Sequence, residues 1–185
     1  MNKYFQGSAH GRFQIFHYGH QKYLLAAKKR CDFLWIGITQ YDIHSLLPSP
    51  NDPHREEKIH NPLTYFERAE LITAALTDVG MRRDEFQIIP FPIEQPESLP
   101  NFLPTSVPIF TTINDTWNEY KIETLRKIGY EVISLWEDRN KEYNGIKIRE
   151  LIANGDDSWK SQVPKATINL ISKYNICERI RALHR

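Results

Sequence analysis

The 185-residue sequence predicts an α/β fold: a doubly wound sheet of about five parallel strands with helices on both faces. Three observations carry this. Short apolar runs rich in β-formers, such as Asp32–Thr39, alternate with longer stretches of helical period. The run Asn61–Asp78 repeats apolar residues every three or four positions. A glycine-bearing turn, His10–His20, joins the first strand to the first helix, where such sheets hold phosphates.

The elements follow in order. Lys3–Ala9 reads as strand one and Gln21–Arg30 as a helix beginning near Tyr18. Asp32–Thr39 has the continuous apolarity of a strand buried on both faces, completing a βαβ unit. Gln40–Asn61 is a polar connection with Pro48, Pro50 and Pro53, carrying Asp42, His44, His54, Arg55, Lys58 and His60. A loop this long is either a solvated surface segment or a functional one covering substrate at a strand's C-terminal end. In the next helix, started by Pro62 or Thr64 and stopped by Gly80, Leu63, Phe66, Ile72, Ala75, Leu76 and Val79 form the expected apolar stripe. Phe86–Ile89 is strand three. Prolines across Pro90–Pro108 exclude a regular helix and leave an extended connection with a short turn. Val107–Thr112 is strand four, Asn114-Asp115 caps a helix over Thr116–Ile128, and Tyr130–Leu135 is strand five after Gly129. Glu137–Tyr143 is a charged loop, and helices follow at Ile146–Ala153 and Pro164–Lys173, with a basic C-terminal segment Glu178–Arg185. With no repeat or composition break, residues 1–185 read as one domain.

Composition is that of an ordinary globular chain, 41% hydrophobic and 25% charged. A net charge of +1 argues against a general nucleic-acid or membrane binder, so any preference for anions is local. Two cysteines, Cys31 and Cys177, fit a reduced compartment better than a disulfide scaffold. No apolar run reaches the ~18 residues of a membrane span, and the expected setting is the cytoplasm. Whether the chain forms a homo-oligomer is left open.

The chemistry concentrates at the first turn. His17 and His20, three apart at a helix start, share one side of its first turn, with Arg12 upstream. Helix N-terminal N–H groups and cationic or donor side chains converge there, as an anion requires. The seven histidines show no ligand spacing beyond this pair, so no metal site is read from them.

The run Gly11-Arg-Phe-Gln-Ile-Phe-His-Tyr-Gly-His20 resembles the HxGH signature of the nucleotidylyltransferase superfamily. It is most similar to the archaeal-type nicotinamide-nucleotide adenylyltransferases. Asn144-Gly-Ile-Lys-Ile-Arg149 stands where that superfamily has a second motif, (S)-(S/G)-T-x-x-R, at a helix start. Asn61-Pro-Leu-Thr, Glu67-Arg68, Val163-Pro and Glu178-Arg-Ile180 extend the resemblance along nearly the whole chain.

The resemblance implies a Rossmann-like fold and transfer of a nucleotidyl group, AMP from ATP first, onto a small phosphorylated acceptor such as nicotinamide mononucleotide (NMN), with pyrophosphate leaving. It implies His17, His20 and Arg149 as catalytic residues, the histidines donating to the triphosphate. Gly11, Arg12, Phe13, Gly19, Asn114, Gly145 and Ile146 would bind nucleotide; Thr39, His60 and Phe102 would lie on the acceptor side. Mg²⁺ would accompany the triphosphate, held more by the nucleotide than by protein ligands. Two departures stand out. Ile146 replaces the Thr whose hydroxyl meets phosphate, and Glu97-Ser-Leu-Pro-Asn-Phe102 lacks the Asn-x-x-Trp that receives a nicotinamide ring. A cytidylyltransferase using CTP, and a nucleotide-binding sensor with little turnover, remain alternatives.

Overall fold

The computed structural model describes residues 3–48, 56–113, 116–137 and 142–184, with the side chains of 116–118 left out. Asn114, Asp115, His54 and Arg55, singled out above, lie outside the described residues.

Five strands, β1 (Tyr4–Gly11), β2 (Cys31–Ile38), β3 (Phe86–Pro90), β4 (Ile109–Ile113) and β5 (Val132–Glu137), form one parallel sheet in the order β3-β2-β1-β4-β5. Helices α1 (Tyr18–Lys28), α2 (Tyr65–Thr77), α3 (Thr116–Lys127), α4 (Gly145–Ala153), α5 (Lys165–Lys173) and α6 (Ile176–Leu183) accompany it. Successive residues of a strand feed two separate apolar cores. Leu34, Ile36 and Ile38 of β2, with Phe110 of β4, pack among side chains of α1, α2, α4, α5 and α6. Trp35 and Ile109, one residue out of phase, pack with Leu99, Leu103, Ile122 and Leu125 on the other side. Period-2 alternation into two cores means both faces are covered, the arrangement expected of a doubly wound sheet.

This strand order reverses between β1 and β4. At that switch point the connections leave in opposite directions, opening a crevice beyond the carboxyl ends of the strands. Two close approaches tighten this part of the sheet. A Cβ on Gly7 would stand 2.3 Å from the Phe110 ring, and one on Gly37 would stand 2.4 Å from Phe91. Only glycine admits aromatic rings there.

The helix expected over Asn61–Asp78 starts at the second of its two expected markers: Thr64 is the N-cap of Tyr65–Thr77 and forms a reciprocal capping box with Glu67, Thr64 N–H donating to Glu67 Oε2 (2.8 Å) and Glu67 N–H to Thr64 Oγ1 (3.2 Å). Leu63, Ile72, Ala75 and Leu76 of the expected stripe are buried, but the rest of the buried side needs correction. Phe66 and Val79 are exposed (62% and 48%), while Leu71 and the charged pair Glu67 and Arg68 are buried. Arg68 takes a place an apolar side chain would normally fill, because carbonyls at the ends of β1 and β2 need its donors (below). A 3₁₀ turn, Asp157–Gln162, which buries Trp159, was not foreseen, nor was the one at Lys58–His60. The C-terminal segment is helical and anchored by buried Ile176 and Ile180.

Candidate active site

A cavity of about 440 Å³ opens at the switch point, at the carboxyl ends of β1, β4 and β5. The turn after β1 contributes Arg12, Phe13, Gln14 and His17; α1 contributes Gly19, His20 and Lys22; the segment entering α4 contributes Tyr143, Asn144, Gly145, Ile146 and Arg149. The structure thus gathers both predicted catalytic histidines and Arg149, from segments some 130 residues apart, around one space.

His17 is the N-cap of α1 and His20 its third residue, and each caps through the other. His20 N–H donates to His17 Nδ1 (3.3 Å), and His17 N–H donates to His20 Nδ1 (3.4 Å). The rings stack with centroids 3.6 Å apart. The capping bonds assign the tautomer. A ring nitrogen that accepts a backbone N–H carries no proton, so in both imidazoles the proton sits on Nε2. The helix start therefore fixes two neutral histidines as N–H donors on the wall of the cavity. Histidine is not a common N-cap residue, and local propensity alone would not place it there.

Arg149, on the first turns of α4, is 3% exposed. Its Nη1 donates to the Gln14 carbonyl and its Nη2 lies 3.0 Å from His60 Nδ1. Burial pushes its guanidinium down to about 10, with the Arg12 charge as a second cause. It remains a cation at neutral pH, held where a cation is costly, and an anion in the cavity would offset that cost. Gly145 makes the approach of α4 feasible: a Cβ there would meet the Gln14 carbonyl oxygen at 3.0 Å. Asn144 caps α4 by accepting from Ile146 N–H (2.8 Å). Ile146 itself is 42% exposed and lines the cavity, an apolar side chain on a wall that also carries Arg12, His17, His20 and Arg149.

Other expected residues separate from the cavity. Gly11 ends β1 behind it, and Thr39 is 1% exposed with its carbonyl accepting from Arg68. Phe102 follows the 3₁₀ turn Pro96–Asn101 and faces Tyr41, ring centroids 6.3 Å apart. His60 is not among the residues lining the cavity and meets Arg149, its Nδ1 3.0 Å from Arg149 Nη2.

Two supporting residues escaped the sequence reading. Gln14, 3% exposed, brackets the backbone of Leu63, donating from Nε2 to its carbonyl and accepting its N–H at Oε1, both at 2.9 Å. Arg68 is fully buried, and its guanidinium donates to the carbonyls of Thr64, Arg12, Thr39, Gln40 and Tyr41 at 2.8–3.3 Å. It ties the Arg12 turn to the exit of β2. Burial pushes it down to about 9. Glu67-Arg68 belonged to the family resemblance, but no local pattern tells a helix-surface arginine from one collecting carbonyls from three segments.

Comparison with known proteins agrees with this geometry. The cytidylyltransferase-like family model matches residues 8–151. The phosphonoformate cytidylyltransferase of Streptomyces viridochromogenes is 36% identical over 176 residues, covering 95% of both chains. The nicotinamide-nucleotide adenylyltransferase of Ignicoccus hospitalis is 32% identical over 174 residues, 94% of both. The crystal structure of a bifunctional NMN adenylyltransferase/ADP ribose pyrophosphatase from Francisella tularensis superposes with a TM-score of 0.71 at 21% identity, across 97% of this chain. This chain spans about half (52%) of that protein, and the likeness concerns the fold. Among the described residues no helix is long and apolar enough to cross a membrane. The chain belongs to the cytidylyltransferase-like family and is a nucleotidyltransferase.

Proposed function

We propose that this chain, as one nucleotidyltransferase domain, transfers a cytidylyl group from CTP onto a small phosphonate or phosphate acceptor, releasing pyrophosphate. The observation that carries the choice is the 36% identity, over 95% of both chains, with a phosphonoformate cytidylyltransferase. The acceptor side agrees, since Phe102, the one aromatic of the segment expected to receive a nicotinamide ring, faces Tyr41 and is not part of the cavity lining. A second reading, AMP transfer from ATP onto NMN, draws on the Ignicoccus relative at 32% identity.

The chemistry is the same in either case. An acceptor oxygen attacks the α-phosphorus, the bond from that phosphorus to the bridging oxygen breaks, and pyrophosphate departs with the electron pair. The protein aligns two polyanions and stabilises charge developing on non-bridging oxygens. His17 and His20 supply Nε2–H donors, Arg12 and Arg149 supply positive charge, and the amino ends of α1 and α4 face the same space. One such preorganised donor is worth roughly 3 kcal/mol in the transition state, or about a hundredfold in rate. Among the described residues no group of three or more His, Cys, Asp or Glu gathers to hold a metal, and Glu142 is the single carboxylate lining the cavity. The described residues do not form a metal cage, so Mg²⁺ would come to the cavity with the triphosphate and neutralise part of its charge.

The test is pyrophosphate release from ATP, CTP, GTP and UTP in turn, each with phosphonoformate, simple phosphate monoesters, NMN and nicotinate mononucleotide. Turnover with CTP and a small acceptor is expected. Turnover only with ATP and NMN would replace this reading with the second, and tight triphosphate binding without turnover would make the chain a sensor.

A further inference from the structure

The turn before α2 carries a side chain whose contact is with the phosphate-facing arginine rather than with the cavity. His60 Nδ1 lies 3.0 Å from Arg149 Nη2, and His60 Nε2 lies 3.5 Å from Glu57 Oε2. The chemistry of arginine fixes how this contact is made. A guanidinium has donors and no acceptor, so Nδ1 must be the accepting, unprotonated nitrogen. The imidazole proton is then on Nε2, the nitrogen facing the Glu57 carboxylate. Glu57, His60 and Arg149 thus form a directed series in which carboxylate sets the tautomer and the tautomer supplies an acceptor to the arginine.

Arg149 has a second acceptor on its other terminal nitrogen, the Gln14 carbonyl. Acceptors on both terminal nitrogens fix the plane of a planar fork as well as its position. Packing alone would not do so, because the neighbouring charge of Arg12 opposes Arg149 and no carboxylate ion-pairs with it among the described residues. A buried cation repelled by another cation drifts toward solvent unless neutral acceptors hold it.

We propose that His60 is a positioning residue for nucleotidyl transfer: its Nδ1, set as an acceptor by Glu57, holds the Arg149 guanidinium in the orientation that meets the triphosphate. This rests on the triphosphate-site reading above, and reassigns His60 from the acceptor side expected of it. Its effect is felt by the triphosphate and the transition state. His60 itself is not among the residues lining the cavity.

Three variants at this position separate the readings. In His60→Asn the carboxamide places an acceptor at nearly the same distance from Cβ as Nδ1, whereas His60→Gln places it further out and His60→Ala removes it. Calorimetric titration of each with MgCTP and MgATP, alongside steady-state kinetics, gives Kd for triphosphate and separate KM values for both substrates. His60→Ala and His60→Gln are expected to bind triphosphate at least about tenfold more weakly and to lose kcat, with acceptor KM within about twofold of wild type. His60→Asn is expected to recover to within about threefold. Glu57→Ala is expected to lose several-fold in the same parameters, since the tautomer is then unassisted. A His60→Ala protein that binds triphosphate like wild type, or that raises only the acceptor KM, overturns the proposal while leaving the triphosphate site intact. Equal loss in the Asn and Ala variants also overturns it, because the acceptor atom would then be irrelevant. Wild-type protein that binds neither triphosphate overturns the site reading itself, and this proposal with it.

Discussion

Gln14 offers the most quantitative test of how the site is held, because its two side-chain bonds end on one buried residue. Leu63 is fully buried, and its backbone N–H and C=O are each paired with the Gln14 carboxamide at 2.9 Å. Gln14→Met keeps side-chain volume close to wild type and removes both partners. Each buried backbone group left unsatisfied costs about 1–3 kcal/mol, so a loss of roughly 3 kcal/mol in unfolding free energy is the central expectation. For a chain of this size that is a fall in Tm of roughly 6–12 °C. Urea unfolding should show a lower midpoint with an unchanged m-value, as befits lost stability without a change in exposed surface. Activity should fall as well, several-fold at least, since the Gln14 carbonyl bonded to Arg149 belongs to the same residue. A destabilisation below about 0.5 kcal/mol would show that the Leu63 backbone finds other partners and that Gln14 is no strut.

The remaining predictions bear on rim, clamp and surface. Ile146→Thr returns a hydroxyl to the amino end of α4 and should lower the KM for triphosphate several-fold; an unchanged or higher KM would mean that the apolar rim suits this chain's substrate. Burial favours the neutral form of Glu67, yet the Arg179 side chain at 2.7–2.8 Å and the Thr64 cap hold its pKa below the ordinary value of 4.5. A lowered folded-state pKa contributes stability that is complete above about 4.5 and is lost as pH falls below it. Thermal melts of wild type and Arg179→Met should therefore differ most at neutral pH, and the gap should narrow as pH falls below about 4.5 to what the Arg179 bond to the Pro62 carbonyl contributes. A gap of the same size in strong acid and at pH 7 would contradict the linkage. Phe66 is 62% exposed, and Phe66→Ser should change stability by less than about 1 kcal/mol and leave kinetics alone.

Much of this was legible in the amino-acid order because it is written in short-range signals. Every strand lies within about two residues of its expected limits, since alternation, flanking glycine and proline, and β-branched content all act within a few positions. The corner of β1 and α1 was legible as a candidate anion site from residue types and spacing, and the structure places its Arg12, His17 and His20 on one cavity wall. What stayed hidden depends on partners far along the chain. Gln14 reaches 49 residues to Leu63, Arg68 reaches 56 to Arg12, and Arg149 reaches 89 to His60. Arg68 shows the limit most clearly. Its helical position counts as polar in any periodicity, and only the convergence of β1, β2 and α2 turns that face inward. Phe66 is the converse, an aromatic on a helix whose buried side had been claimed by a charged residue. Trp136, Lys22 and Tyr143 on the cavity wall carried no signal, because ordinary aromatic and basic residues in loops and strand ends have no motif to mark them.

The central claim is that the stacked histidine cap of α1 donates to a triphosphate during nucleotidyl transfer. The most direct measurement is pyrophosphate release by His20→Ala against wild type, with the best triphosphate–acceptor pair from the substrate panel. The account predicts turnover reduced at least about a hundredfold, in a protein whose melt shows only the loss of a helix cap, about 1 kcal/mol. Wild-type turnover in that variant would contradict it and remove the histidine pair from the mechanism.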